Sequence, residues 1–237
     1  MITNLIIQRV QSLYSRGVQS DDSRLTSRHI YNKMTTVRSK LLSQKAEQKK
    51  FISQWNYQLL PCVEMALAPV HECPCLPAPG CKILKSVHPL PEVMTDKNKH
   101  LINYVTNLNG DIVYDYMTWK EKKHKKGNKY TGGDPDYWIR NGYLYSTYRT
   151  GPKILVMEIL AEDPLVAEAF PSFCPGVEDT SCSSPLDKDF PIDTDLIDTL
   201  VELCVQELIG IFKQNTEDLT NTTTDTHANA ANNQESK

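Results

Sequence analysis

The 237-residue sequence contains no run of about 18 apolar residues, so no membrane-spanning helix is expected. It lacks the local signatures of common catalytic machinery: no G-x-S-x-G elbow, no P-loop and no H-E-x-x-H. Carboxylate neighbours such as Glu162 with Asp163, or Asp187 with Asp189, read as helix-cap and loop residues rather than acid–base partners. No catalytic or cofactor-binding residue is therefore assigned, and an enzyme is not expected. Met1–Arg16 has helically spaced apolar residues broken by Asn4, Gln8 and Arg9, without a small-residue cleavage site, so it is not read as a signal peptide. The seven cysteines are odd in number in a chain read as having no secretion signal, which favours reduced thiols in a cytosol over a disulfide framework. Cys62, Cys174, Cys182 and Cys204 read as structural.

The clearest positive signal is Tyr137–Pro164. Two short β-prone runs flank Asn141-Gly142, the dipeptide that best tolerates the two positive φ values of a tight hairpin turn. Lys153–Leu160 follows as an aliphatic run long enough for a central strand, and Asp163-Pro164 stops it. A second hairpin signal lies at Leu101–Trp119 around Asn109-Gly110, where Ile112, Tyr114 and Tyr116 alternate with Val113, Asp115 and Met117. Together these predict a locally connected antiparallel meander.

Helical spacing marks both ends of the chain. Ile2, Leu5, Ile6, Val10, Leu13 and Tyr14 form one stripe before Gly17, and Leu25, Ile30, Met34, Val37 and Leu41 form a second. A broad apolar arc, Leu196, Ile197, Leu200, Leu203, Cys204, Leu208 and Ile211, predicts a largely buried helix after Asp193-Thr194-Asp195. Between the ends, Phe51–Pro91 carries Pro61, Pro69, Pro74, Pro77, Pro79, Pro89 and Pro91, which argue against long helices and interior strands. It reads as an extended arm, with Trp55 and Tyr57 as core aromatics.

The fold class expected is α+β: an N-terminal helical hairpin bundled with a C-terminal helix, an inserted antiparallel β-domain and a Pro-rich extended arm. In residues, this is a helical region at 1–60, a Pro/Cys-rich arm at 61–100, a β-meander domain at 101–170, a linker at 171–185, a C-terminal helix at 186–214 packed on the N-terminal helices, and a polar tail at 215–237, disordered when free.

Charge is polarised along the chain. Residues 1–50 hold ten Lys/Arg against three Asp/Glu, whereas residues 157–210 hold thirteen Asp/Glu against Lys188 alone. Such a chain suits contact with a polyanion or with copies of itself; the plainer reading is two solvated faces of opposite sign. Arg24, Arg28 and Arg38, with Lys122, Lys123, Lys125 and Lys126 of the basic loop Lys120–Lys129, are candidates for phosphate-backbone contact or an interface. His71, Cys73, Cys75 and Cys81, with His88 nearby, are the weak alternative as zinc ligands, because C-x-C-x5-C is not a knuckle spacing.

Three phrases resemble structural proteins of crAss-like tailed bacteriophages: SDDSRLTSRHIYNKM at Ser20–Met34, SQWNYQLLPCVEMALAPVHECPCLPAPGC at Ser53–Cys81, and KEKKHKKGNKYTGGDPDYWIRNGYLYS at Lys120–Ser146. ILVMEILAEDPLVAEAFPSFC and PIDTDLIDTLVELCVQELI fit the same pattern. The resemblance covers nearly all of residues 1–212 and is to head–tail connector (adaptor, or ring) proteins. It implies a structural virion protein in the tail or neck region, assembled in the host cytoplasm. Its implied partners are copies of itself in a ring (a dodecamer), the portal protein, the next ring or tail protein, and genomic DNA passing through the lumen, with no membrane and no cofactor. The alternative is a phage-encoded nucleic-acid-binding regulator with a structural zinc site.

Overall fold

The computed structural model describes residues 1–17, 25–69, 83–97, 99–118, 121, 125, 134–147, 153–171 and 184–211. The chain divides into two compact units. One comprises Met1–Arg38, Leu186–Asp189 and Thr194–Lys237, the other Ser39–Pro185 with Phe190–Asp193.

The first unit is helical. Helix α1 (Thr3–Tyr14) ends where Arg16 and Gly17 take positive φ and the Gly17 amide returns to the Ser12 carbonyl. Helix α2 (Ser27–Glu47) begins after Thr26, whose hydroxyl accepts from the His29 amide, and it runs on past the division at Arg38. A C-terminal helix covers residues 194–211. Ile6, Ile7 and Val10 of α1, Ile30, Met34 and Val37 of α2, and Ile197, Leu200, Val201, Cys204 and Leu208 of the C-terminal helix are buried. Ion pairs from Arg9 to Asp198 (2.7 Å) and from Lys33 to Glu207 (2.8 Å) tie α1 and α2 to that helix.

The second unit is built on a seven-stranded sheet. Its strands are β1 (Gln58–Leu67), β2 (Leu84–Ser86), β5 (Ile102–Asn107), β6 (Asp115–Tyr116), β7 (Asp136–Arg140), β8 (Tyr143–Ser146) and β9 (Ile154–Ile159), in the order β5-β9-β1-β2-β8-β7-β6. β3 (Thr95–Asp96) and β4 (Lys99–His100) form a separate ribbon. All pairs in the large sheet are antiparallel except β6 with β7, which is parallel. Residues 112–114 bond back to β5, through the Thr106–Val113 bridge and the Tyr114 amide to the Val105 carbonyl (2.8 Å), and then run directly into β6. The two edges of the sheet are thereby drawn together into a nearly closed barrel. Leu60, Val63, Met65, Val105, Tyr114, Tyr137, Leu144, Leu155, Met157 and Ile159 fill its inside, and Ala167 of the short helix Pro164–Glu168 joins them.

This corrects the expected architecture. The frame is not a helical bundle carrying a small inserted antiparallel β-domain; the mixed, nearly closed sheet is the larger unit, with few helices. Two physical facts separate expectation from fold. First, β1 lies between β9 and β2 even though it contains Pro61, because a register break between Leu60 and Val63 leaves Pro61 with no ladder bond to donate. Second, β9 does not continue the β7–β8 hairpin. It pairs with β1 and β5, so β2 and β1 stand between β8 and β9, a non-local order that local spacing does not encode. The local signals are accurate: Asn141 and Gly142 have φ of 52° and 75°, and Arg140 faces Tyr143 across the turn. Asp163 caps the short helix by accepting from the Leu165 amide (3.0 Å), with Pro164 in the first turn.

Candidate functional site

The segment leading into β1 is unusually well fastened. Ser53 Oγ accepts from the Trp55 amide (3.4 Å), and the Ser53 carbonyl accepts from both the Asn56 amide (3.1 Å) and Asn56 Nδ2 (3.0 Å). These bonds close a single 3-10 turn, Gln54–Asn56. Gln54 Nε2 reaches Glu158 Oε1 (3.2 Å) on β9, and Asn56 Oδ1 accepts from the Asp193 amide (3.2 Å). Lys45 Nζ reaches the Asp193 carboxylate at 3.0 Å, with both side chains largely shielded. Burial pushes the Asp193 carboxyl up, but hydrogen bonds from Asn56, Lys45 and Ser53, with the Lys45 charge, outweigh it and hold the group below the usual carboxylate range.

Glu158 is only 5% exposed although it lies on β9 between the core residues Met157 and Ile159. Asn103 Nδ2 donates to its second oxygen at 2.5 Å, so both oxygens are satisfied. Burial, then the Glu158 charge, raise the hydroxyls of Tyr57 and Tyr104 above the usual tyrosine value. This buried carboxylate is a positioning device for the turn.

What the fastening presents is a bare indole. Trp55 is 82% exposed and Phe51 84%, with Leu59 exposed nearby on β1 and both Lys49 and Lys50 exposed just upstream. The expectation that Trp55 is core is wrong, and Tyr57 is only half-buried. Polar Asn56, 0% exposed, takes the inward position that the aromatic pattern suggests for Trp55. Other large apolar side chains are also exposed, among them Leu5 and Leu13 on α1 and Val166 on the short helix. Half of the predicted α1 stripe thus faces solvent.

Residues 5–230 match the family model described as phage tail ring protein 2. The chain belongs to that family. It is also 30% identical over 201 residues to "Ring protein 2" of Bacteroides phage crAss001, covering 81% of this chain and 84% of that relative. The resemblance read from the sequence is therefore to the right family, and the chain is a structural ring protein of the crAss-like phage type.

In this ring-family chain the charged candidates are placed unevenly. Arg28 is exposed on α2. Arg38 is fully buried, 0% exposed, on the same helix. Lys125 folds back on Asp115 at 3.4 Å, with its side chain 12% exposed. Arg24, Lys122, Lys123 and Lys126 lie outside the described residues, as do His71, Cys73, Cys75 and Cys81. Among the described residues no group of three or more His, Cys, Asp and Glu is arranged to hold a metal, and no helix is long and apolar enough to cross a membrane. The sequence polarity is partly neutralised within the chain: Arg9, Lys33 and Lys45 pair with Asp198, Glu207 and Asp193 of the acidic stretch.

Cysteine chemistry also differs from expectation. Cys62 is disulfide-bonded, against the expectation of reduced thiols. Cys204 is a free, buried thiol. Burial above all, then the Glu207 charge, pushes it up to about 12 despite the opposing Lys33, so it carries no thiolate at neutral pH.

Proposed function

We propose that the chain is a structural subunit of the virion that works as a closed ring of identical copies in the head-to-tail connector below the portal, with DNA passing through its lumen. The observation that carries this reading is the match of residues 5–230 to the tail ring protein 2 family. The exposed Phe51, Trp55, Leu59 and Val166 support it, since large apolar groups left in water on a folded chain favour burial against another protein. The role is one of assembly and passage, with no substrate to turn over.

On this reading Arg28 and the basic loop at 120–129 serve the lumen or a subunit interface, whereas Arg38, fully buried within its own chain, serves neither. Mixed surface charge suits a lumen through which a polyanion must slide rather than stick. The polar tail at 215–237 is assigned to docking on the portal or the next ring, as a segment that orders on binding. The test is to locate the chain in purified particles by mass spectrometry and by antibody labelling in electron micrographs. Label at the neck, between head and tail, is expected; particles that contain none of the chain, or label on the capsid shell, overturn the reading.

A further inference from the structure

We infer that the Ser53–Asn56 turn, with Trp55 at its tip and Phe51 beside it, is the knob by which one copy of this chain grips the next. The inference rests on the ring reading above and names the residues and the partner surface. Three of the four turn side chains are committed to hydrogen bonds within the chain: Ser53 to the turn itself, Gln54 to Glu158, and Asn56 to the Asp193 amide and the Ser53 carbonyl. The fourth, Trp55, touches little of its own chain. A tryptophan held on a fixed backbone loses little freedom on association, and tryptophan is the residue type most enriched among the few that dominate protein–protein binding. Nothing in the folding of the single unit requires an aromatic ring at that position.

Charge identifies the occupant. Lys49 and Lys50 are exposed and make no ion pair among the described residues, and no acidic residue falls between Glu47 and Glu64. The knob is therefore aromatic and cationic, and it calls for a surface that is apolar and anionic. The chain itself carries one. Glu92 and Glu162 are exposed neighbours, linked through the Glu162 amide to the Glu92 carbonyl (2.9 Å), and neither meets a base among the described residues. Burial, then the Glu92 charge, raise the Glu162 carboxyl above its usual value, and an opposing lysine would relieve the like-charge part. Val166, exposed on the short helix that follows, supplies the apolar part. On the ring reading the knob of one copy meets the acidic patch of the next, a head-to-tail contact of the kind that closes into rings.

The experiment uses the full chain. Native mass spectrometry and sedimentation velocity measure self-association of wild type, Trp55→Ala, Lys50→Glu, Glu162→Lys and the double variant Lys50→Glu/Glu162→Lys, with thermal melting as the check on folding. Wild type should form a closed oligomer. Trp55→Ala should weaken association at least about tenfold with an unchanged melt. Each charge reversal should weaken association, and the double variant should recover it. A Trp55→Ala chain that assembles like wild type, or a double variant no better than the singles, overturns the inference while leaving the ring reading intact. Normal self-assembly with lost binding to another virion protein reassigns the knob to that protein and equally overturns it. A wild-type chain that stays monomeric at every concentration overturns the ring reading and the inference with it.

Discussion

Trp138 and Trp55 belong to the same compact unit and meet water very differently. Trp138, on β7, stacks on Tyr145 of β8 with ring centroids 5.7 Å apart and planes 9° from parallel. Tyr145 is buried with Ala68 and Ile83, Tyr143 packs alongside, and the Lys85 ammonium lies 4.0 Å over the Tyr143 ring. This small cluster covers the face of the sheet opposite Tyr137, Ile139 and Leu144, which point into the main core. Trp55 has no cross-strand partner, because its turn ends before β1 begins. A sheet gives every aromatic residue a neighbour at a fixed distance; a turn fastened by its polar side chains can leave one outside. The difference separates an aromatic that stabilises the subunit from one available to a neighbour.

That contrast can be broken in order of expected effect. Trp138→Ala removes a stacked pair and part of a cluster, and should cost about 3 kcal/mol with a clear fall in melting temperature by calorimetry. A loss below about 1 kcal/mol would mean the stack is decorative. Asp193→Ala strands a largely shielded Lys45 and frees Asn56 and Ser53, which should cost about 2 kcal/mol. The same variant should speed amide hydrogen exchange at residues 53–57 far more than at β7 and β8.

Acid should act on the same point. The folded Asp193 carboxyl is held below its ordinary value of 3.8, so its contribution is present above that value and is lost as pH falls through the lower folded value. Exchange at residues 53–57 should therefore rise below the ordinary carboxylate value, and a turn equally protected throughout the acid range would contradict the clamp. Arg9→Ala removes an ion pair whose side chains are 46% and 80% exposed, so it should cost under about 1 kcal/mol and less in high salt, by denaturant titration. Trp55→Ala should change the stability of the single chain least, within about 0.5 kcal/mol.

How much of this was legible in the sequence depends on the range of the interaction. The Asn141-Gly142 turn, the Asp163-Pro164 cap and the inward face of Tyr114 are set by neighbours a few residues away, and the pattern locates them. The position of β1 is set by β9 and β2, about a hundred and about twenty residues on, and the rule against proline in interior strands misleads because the break at Leu60/Val63 suspends it. The outward position of Trp55 depends on Glu158 and Asp193, which no spacing brings together. A signal was nonetheless present: Ser53, Gln54 and Asn56 around Trp55 are polar, turn-forming neighbours rather than a strand alternation. Charge followed the same logic. The basic N-terminal stretch looked like a polyanion surface, yet Arg9, Lys33 and Lys45 bond to acids more than a hundred residues away.

The most direct test of the account is a reconstruction of the neck in intact particles by electron cryomicroscopy at side-chain resolution. It should show this chain as a closed ring of identical copies, each burying its Trp55 indole against the Glu92, Glu162 and Val166 surface of the next. A ring in which Trp55 stands in solvent, or a neck in which this chain has no density, contradicts it.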